Sequence, residues 1–244
     1  HSSGPAALNG ISFSVPSGTT VGILGATGSG KSTLMMLLSR LYDPTGGRIL
    51  IDGHDITTID RRWLRRHVAF VLQEPFLFAR TIRDNISLAR SAARDAEITA
   101  ATRSAAVHDV IESFTHGYET AVGERGVTLS GGQQQRVAIA RALITGSPIM
   151  VFDDSLSAVD TRTDARIRSA LLERGATTFL ISHRATTLAR TDYLIVMEHG
   201  RIVEHGAPQE LLRRSPEGAQ SAEGAGFFAR IWELQQGVTN AGAS

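Results

Sequence analysis

Eight residues near the N-terminus constrain this chain more than any other stretch. Gly25 to Ser32 read GATGSGKS and fit the pattern G-x-x-x-x-G-K-[ST]. Thr19 to Leu24 (TTVGIL) precede them as a buried strand, and Lys31 to about Leu41 (KSTLMMLLSRL) follow with helical period. A strand that turns through glycines directly into a helix presents backbone N–H groups and a helix N-terminus to an anion. Gly28 and Gly30 let the backbone approach phosphate oxygens in conformations a Cβ hinders. Lys31 is placed to reach β- and γ-phosphates, and the Ser32 hydroxyl to ligate Mg²⁺. Gly25, Ser29 and Thr33 complete the phosphate-binding stretch.

The charge composition singles out the same position. Of 25 basic residues, 24 are Arg and one is Lys, Lys31. A chain drifting toward Arg keeps Lys only where a compact ammonium is needed and a planar fork fails. The net charge of +1 argues against a nucleic-acid partner. With no cysteine, disulfides, Cys-based zinc sites and thiol nucleophiles are excluded. No apolar run reaches the roughly 18 residues needed to span a bilayer, so the chain reads as a soluble domain. Its start without Met suggests a piece of a longer protein.

A second acidic element is needed to hold Mg²⁺. Ile149 to Asp153 (IMVFD) supplies it, as a core strand delivering a carboxylate at its C-terminal end, where ligands bind in open α/β sheets. Val68 to Leu72, Thr177 to Ile181 and Tyr193 to Met197 are further short apolar runs. Separated by helical stretches, they indicate a parallel sheet covered on both faces. Arg48 to Ile51 and the turn at Asp52-Gly53 read as a hairpin. Thr81 to Phe114 is helical in period. Arg61, Arg62, Arg65 and Arg66 read as a solvated helix face. Ser215 to Gly226 reads as a loop, and Phe227, Ile231 and Leu234 as a helix face packed on the domain's own core.

At Leu129 to Arg136 (LSGGQQQR) the sequence resembles the signature motif of ATP-binding-cassette (ABC) ATPases. Other elements follow in family order. Gln73 ends an apolar strand, as the Q-loop glutamine does; Ser157-Ala158-Val159-Asp160 resembles the D-loop; His183, in LISHR, resembles the switch histidine. The resemblance implies a RecA-like α/β P-loop core with a small antiparallel β subdomain and an inserted α-helical subdomain. Residues 1–244 then form one nucleotide-binding domain, with the core and β subdomain at 1–72 and 146–244 and the helical subdomain at 73–145. ATP and Mg²⁺ are the implied ligands, with Ser32, Gln73 and Asp153 at the metal. Ser130, Gly131, Gly132 and Gln133, with Asp160, would serve a nucleotide held by a second such domain. Gln73 to Ile86 resembles the exporter Q-loop region and Thr120 to Gly126 the exporter X-loop, with Glu124 contacting transmembrane domains. The implied setting is the cytoplasmic face of a membrane. Non-transport ABC ATPases need a coiled-coil insertion or a second cassette, and an importer subunit lacks this X-loop. The family's adenine-stacking aromatic aligns at or immediately before His1, with the position upstream of His1 favoured over His1 itself, so no adenine-stacking residue is named.

One position departs from the family pattern. Where the general base is usually Glu, this chain has Asp154. Asp is one methylene shorter, so its carboxylate falls short by ~1.5 Å, one C–C bond length. Misplacement by about 1 Å can cost on the order of 10²-fold in rate. The expectation is a site that binds ATP well and hydrolyses it slowly, while the intact signature completes a partner's site. That combination favours one half of a heterodimer over a slow homodimer.

Overall fold

The computed structural model describes residues 7–123, 128–156, 159–213 and 226–241. β1 (Thr20–Gly25) runs into α1 (Lys31–Leu38). A short hairpin, β2 (Leu50–Ile51) and β3 (His54–Asp55), precedes α2 (Arg61–His67) and β4 (Val68–Val71). Helices α3 (Ile82–Ser87), α4 (Asp95–Ser104), α5 (His108–Glu112) and α6 (Gly131–Leu143) follow. Then come β5 (Ile149–Asp153), α7 (Thr161–Glu173), β6 (Thr177–Ile181) and α8 (Ala185–Leu188). The chain continues through β7 (Tyr193–Glu198), β8 (Arg201–Gly206), α9 (Pro208–Arg213) and α10 (Phe227–Ala241). Two compact units are built from these, residues 1–64 with 177–244 and residues 65–176.

In the first unit the strands lie in the order β6-β1-β7-β8. β1 is parallel to β6 and to β7, and β7 pairs antiparallel with β8. Val21, Ile23, Leu194, Ile195, Val196 and Met197 are fully buried, which is why these strands read as continuous apolar runs rather than alternating ones. The hairpin at Asp52-Gly53 forms with both turn residues at positive φ, +50° and +81°, as a two-residue turn between twisted strands requires.

In the second unit β4 and β5 are parallel, in register from Val68↔Ile149 to Val71↔Phe152. Helix α6 packs on α3, α4 and β4. Arg141 of α6 donates to the Asn85 carbonyl oxygen at 2.7 Å, to Asn85 Oδ1 at 3.0 Å and to the Phe76 carbonyl at 2.9 Å. Asn85, fully buried, in turn accepts from Phe78 N and donates to the carbonyls of Phe78 and Thr81. The loop after β4 is thereby tied to α6 through polar groups that are each satisfied.

Four expectations change at this level. The first helix stops at Leu38, short of Leu41, because Arg40 takes φ +50° and its guanidinium donates to the carbonyls of Ile56, Thr57 and Ile59. The helical stretch from Thr81 to Phe114 divides into α3, α4 and α5, with left-handed Ala106 (φ +52°) just past the end of α4. Strand β8 was not expected at all. The C-terminal helix is one residue out of phase with its expected face: Phe228 and Ala229 are buried, whereas Leu234 is 69% exposed. The arginine face of α2 is solvated as expected, around a fully buried Leu64.

The architecture is the RecA-like P-loop fold, with a mixed parallel and antiparallel sheet and a helical subdomain inserted between β4 and β5. Among the described residues no helix is long and apolar enough to cross a membrane.

Candidate functional site

The phosphate loop belongs to the first unit. Lys31 is 6% exposed, and its ammonium donates to the carbonyl oxygens of Gly25 and Ala26, both at 2.8 Å, and to Ser29 Oγ at 3.4 Å. The loop is wrapped on a point charge with three rotatable donors, which is what Lys offers and Arg does not. Two of the glycines are required by protein neighbours. A Cβ on Gly25 would lie 2.3 Å from the Met197 carbonyl oxygen, and one on Gly30 would lie 2.6 Å from Leu8 Cδ2, at a residue already at φ +99°. Ser32 and Thr33 follow Lys31 in the first turn of α1.

The loop has a buttress that sequence reasoning missed. In the β7–β8 hairpin, His199 and Gly200 take φ +46° and +74°. The Gly200 amide donates to the Ser29 carbonyl at 3.1 Å, and its carbonyl accepts from Asn9 N at 2.7 Å. The signal was present: a His-Gly pair between the β-branched and apolar runs YLIVME and RIVEH suits a two-residue hairpin turn. His183, exposed, follows the end of β6, whose Ile181 pairs with Ile23 of β1. Parallel register thus brings the histidine to the same strand end as the phosphate loop.

The second unit gathers the acidic residues and the signature. Asp153 ends β5 and Gln73 lies two residues beyond β4, so both stand at the C-terminal ends of paired parallel strands. Asp153 is half-buried and Gln73 exposed. The Leu72 carbonyl beside Gln73 accepts from buried Gln135 Nε2 of α6 at 3.2 Å. Asp154 is half-buried and takes φ +45°, a conformation Asp tolerates better than most residues. Ser130 is the N-cap of α6: its Oγ accepts from Gln133 N at 3.3 Å and its amide donates to Gln133 Oε1 at 2.8 Å, a complete capping box. Gly131 is exposed, with open space where a Cβ would stand, and Gly132 follows it in the first turn.

Asp160 caps α7, accepting from Arg162 N at 3.0 Å, Thr163 N at 2.9 Å and Thr163 Oγ1 at 2.7 Å. The backbone and side-chain hydrogen bonds from Thr163 hold its carboxyl below the ordinary Asp range. With the folded value lowered, the stabilisation is full above the unfolded value and is lost as pH falls through the folded one. Asp160→Ala is therefore expected to lower Tm at neutral pH, with the gap to the parent closing in acid. Thermal melts at about pH 7 and about pH 3 check this sign. Glu124, Ser157, Ala158 and His1 lie outside the described residues.

Phosphate loop, strand-end carboxylate, capped signature helix and RecA-like core define a class, the ABC nucleotide-binding domains. The family model described as ABC transporter matches residues 8–157, and the chain belongs to that family. It is 48% identical over 206 residues to the β-(1→2)glucan export ATP-binding/permease protein NdvA of Rhizobium etli, covering 84% of this chain and 35% of that protein. The NdvA of Agrobacterium vitis is 46% identical over 223 residues, covering 91% of this chain and 37% of that one. Among solved structures, a bacterial Atm1-family ABC exporter with ATP bound matches with a TM-score of 0.85 and 44% identity, over 94% of this chain and 39% of its own. The chain spans about a third of the length of the curated relatives it matches.

Proposed function

We propose that this chain is the ATP-binding motor domain of a membrane exporter, working as one of two such domains that close on ATP. The observation that carries this reading is the capped start of α6, exposed at Ser130 and Gly131. Its capping box holds the Ser130 side chain and Gly131 adds no bulk, so the helix start is free to meet phosphate oxygens supplied by a partner domain. The export function named for the NdvA and Atm1-family relatives supports the transport setting, with contact to transmembrane domains through Gln73 to Ile86 and Glu124 at the cytoplasmic face.

Within its own site, Lys31 and the loop amides bind the β- and γ-phosphates, and His183 senses the γ-phosphate. The family resemblance assigns Mg²⁺ to the hydroxyl of Ser32, the amide oxygen of Gln73 and the carboxylate of Asp153, oxygen donors of the kind that ion takes, and these residues would hold it. When bound, Mg²⁺ neutralises charge that develops on the phosphate oxygens. Asp154 takes the proton of the attacking water through a carboxylate one methylene shorter than the family's usual Glu. We place this chain in a heterodimer, its own ATP acting mainly as a clamp while its signature serves the partner's site.

The test of signature action in trans uses two forms of this chain. A double variant, Asp154→Glu with Ser130→Arg, carries a full-length base but a blocked signature. Alone it is expected to be inactive. Mixed with unmodified chain it should hydrolyse ATP, because the unmodified signature completes its site. A mixture no faster than the sum of its parts overturns the reading.

A further inference from the structure

The backbone around His183 is clamped at two points by the last helix. Gln235, in the third turn of α10, donates from Nε2 to the His183 carbonyl oxygen at 2.7 Å. Its Oε1 accepts from the Ala185 amide at 2.8 Å. Between those points the Arg184 amide donates to Ser182 Oγ at 3.0 Å, and upstream the Ser182 amide donates to the Ile23 carbonyl of β1 at 3.3 Å. The segment is thus tied on one side to the strand that delivers the phosphate loop and on the other to α10.

Helix α10 is itself anchored. Phe228 is fully buried, and the amides of Phe227 and Phe228 donate to Glu204 Oε1 at 2.8 Å and Oε2 at 3.1 Å. Glu204, 5% exposed, stands on β8, the strand whose hairpin also supports Ser29. One carboxylate fixes the start of the helix and one amide, two turns on, fixes the switch segment. The Gln235 contact needs a donor and an acceptor on one planar group. A carboxylate could accept from Ala185 but would face the His183 carbonyl with a second acceptor.

We propose that Gln235 is a positioning residue for His183, so that the C-terminal helix sets where the switch imidazole stands relative to the phosphate loop. The proposal rests on the reading of His183 as the γ-phosphate sensor. Both of these Gln235 hydrogen bonds are to backbone groups. Its loss should change the rate of hydrolysis and leave ATP binding, carried by Lys31 and the loop amides, nearly unchanged.

The experiment compares Gln235→Ala, Gln235→Glu and His183→Ala with the parent chain in single-turnover ATP hydrolysis, with ATP affinity measured separately. Amide exchange at Ala185 is followed without nucleotide. Gln235→Ala should slow hydrolysis roughly 10-fold or more, in line with the cost of about 1 Å of misplacement, at nearly unchanged affinity. Its Ala185 amide should exchange faster. Gln235→Glu fills the same space and keeps the acceptor, so Ala185 should stay protected while hydrolysis still falls. Full activity in Gln235→Glu overturns the proposal, leaving a packing role only. So does a His183→Ala variant that is inactive beside Gln235 variants that are not. Unchanged turnover in His183→Ala overturns the sensor reading and this proposal with it, even where exchange at Ala185 reports the clamp.

Discussion

Lys31→Arg is expected to reduce ATP affinity and turnover together, by roughly 10²-fold or more, the scale of losing a well-placed phosphate-directed donor. The substitution keeps the charge, in a chain that uses Arg at its other 24 basic positions. Its effect therefore comes from shape. The ammonium has two carbonyl oxygens at 2.8 Å and a hydroxyl at 3.4 Å around it, at a residue only 6% exposed. A guanidinium is larger and planar, and its five donors point outward in one plane. The loop has little room to yield, because Gly25 lies against the Met197 carbonyl and Gly30 against Leu8. Titration calorimetry with ATP and Mg²⁺ checks the affinity. Lys31→Met, of similar length without charge, separates lost charge from a displaced loop. Parent-like binding by Lys31→Arg would mean that the lone lysine reflects no requirement for a compact cation.

Asp154→Glu is expected to raise ATP turnover by roughly 10- to 100-fold, recovering most of what a carboxylate misplaced by about 1 Å forfeits. The backbone opposes the change. Asp154 sits at φ +45°, where Asp is tolerated and Glu is less at ease, so the variant should also lose about 1 kcal/mol of stability. Faster hydrolysis in a slightly less stable protein is a combination that neither a neutral nor a purely disruptive substitution produces. Steady-state hydrolysis and a denaturant midpoint, measured on the same preparation, check both signs. Brisk turnover by the parent, or no gain in the variant, counts against a shortened base and removes the main ground for a heterodimer.

Much of the fold was legible because the informative residues are local. The apolar runs at Ile149 to Asp153, Thr177 to Ile181 and Tyr193 to Met197 became β5, β6 and β7 because strands buried on both faces have little choice of composition. The turn at Asp52-Gly53 formed where its positive φ angles demanded it. Expectations missed where a distant group decides a boundary. Arg40 leaves the helix by taking a left-handed conformation and satisfying carbonyls at Ile56, Thr57 and Ile59. The face of α10 is set by Glu204 at the helix start, 23 residues upstream of Phe227, so Phe228 rather than Leu234 turns inward.

Read alone, the amino-acid sequence located a phosphate-loop motif around Lys31, an acidic strand end at Asp153 and a signature-like run at Leu129 to Arg136. Those features are short, contiguous and chemically specific, so spacing along the chain is enough to state them. Tertiary structure alone decided what holds them in place. The β7–β8 turn supports Ser29, Arg141 and Asn85 tie the loop after β4 to the signature helix, and Gln235 grips the backbone on either side of Arg184, next to His183. Each of these is a hydrogen bond between residues about 50 or more apart in sequence, or between a loop and a hairpin that only strand register brings together. Nothing in local periodicity encodes such a pairing, because the partner is chosen by the fold.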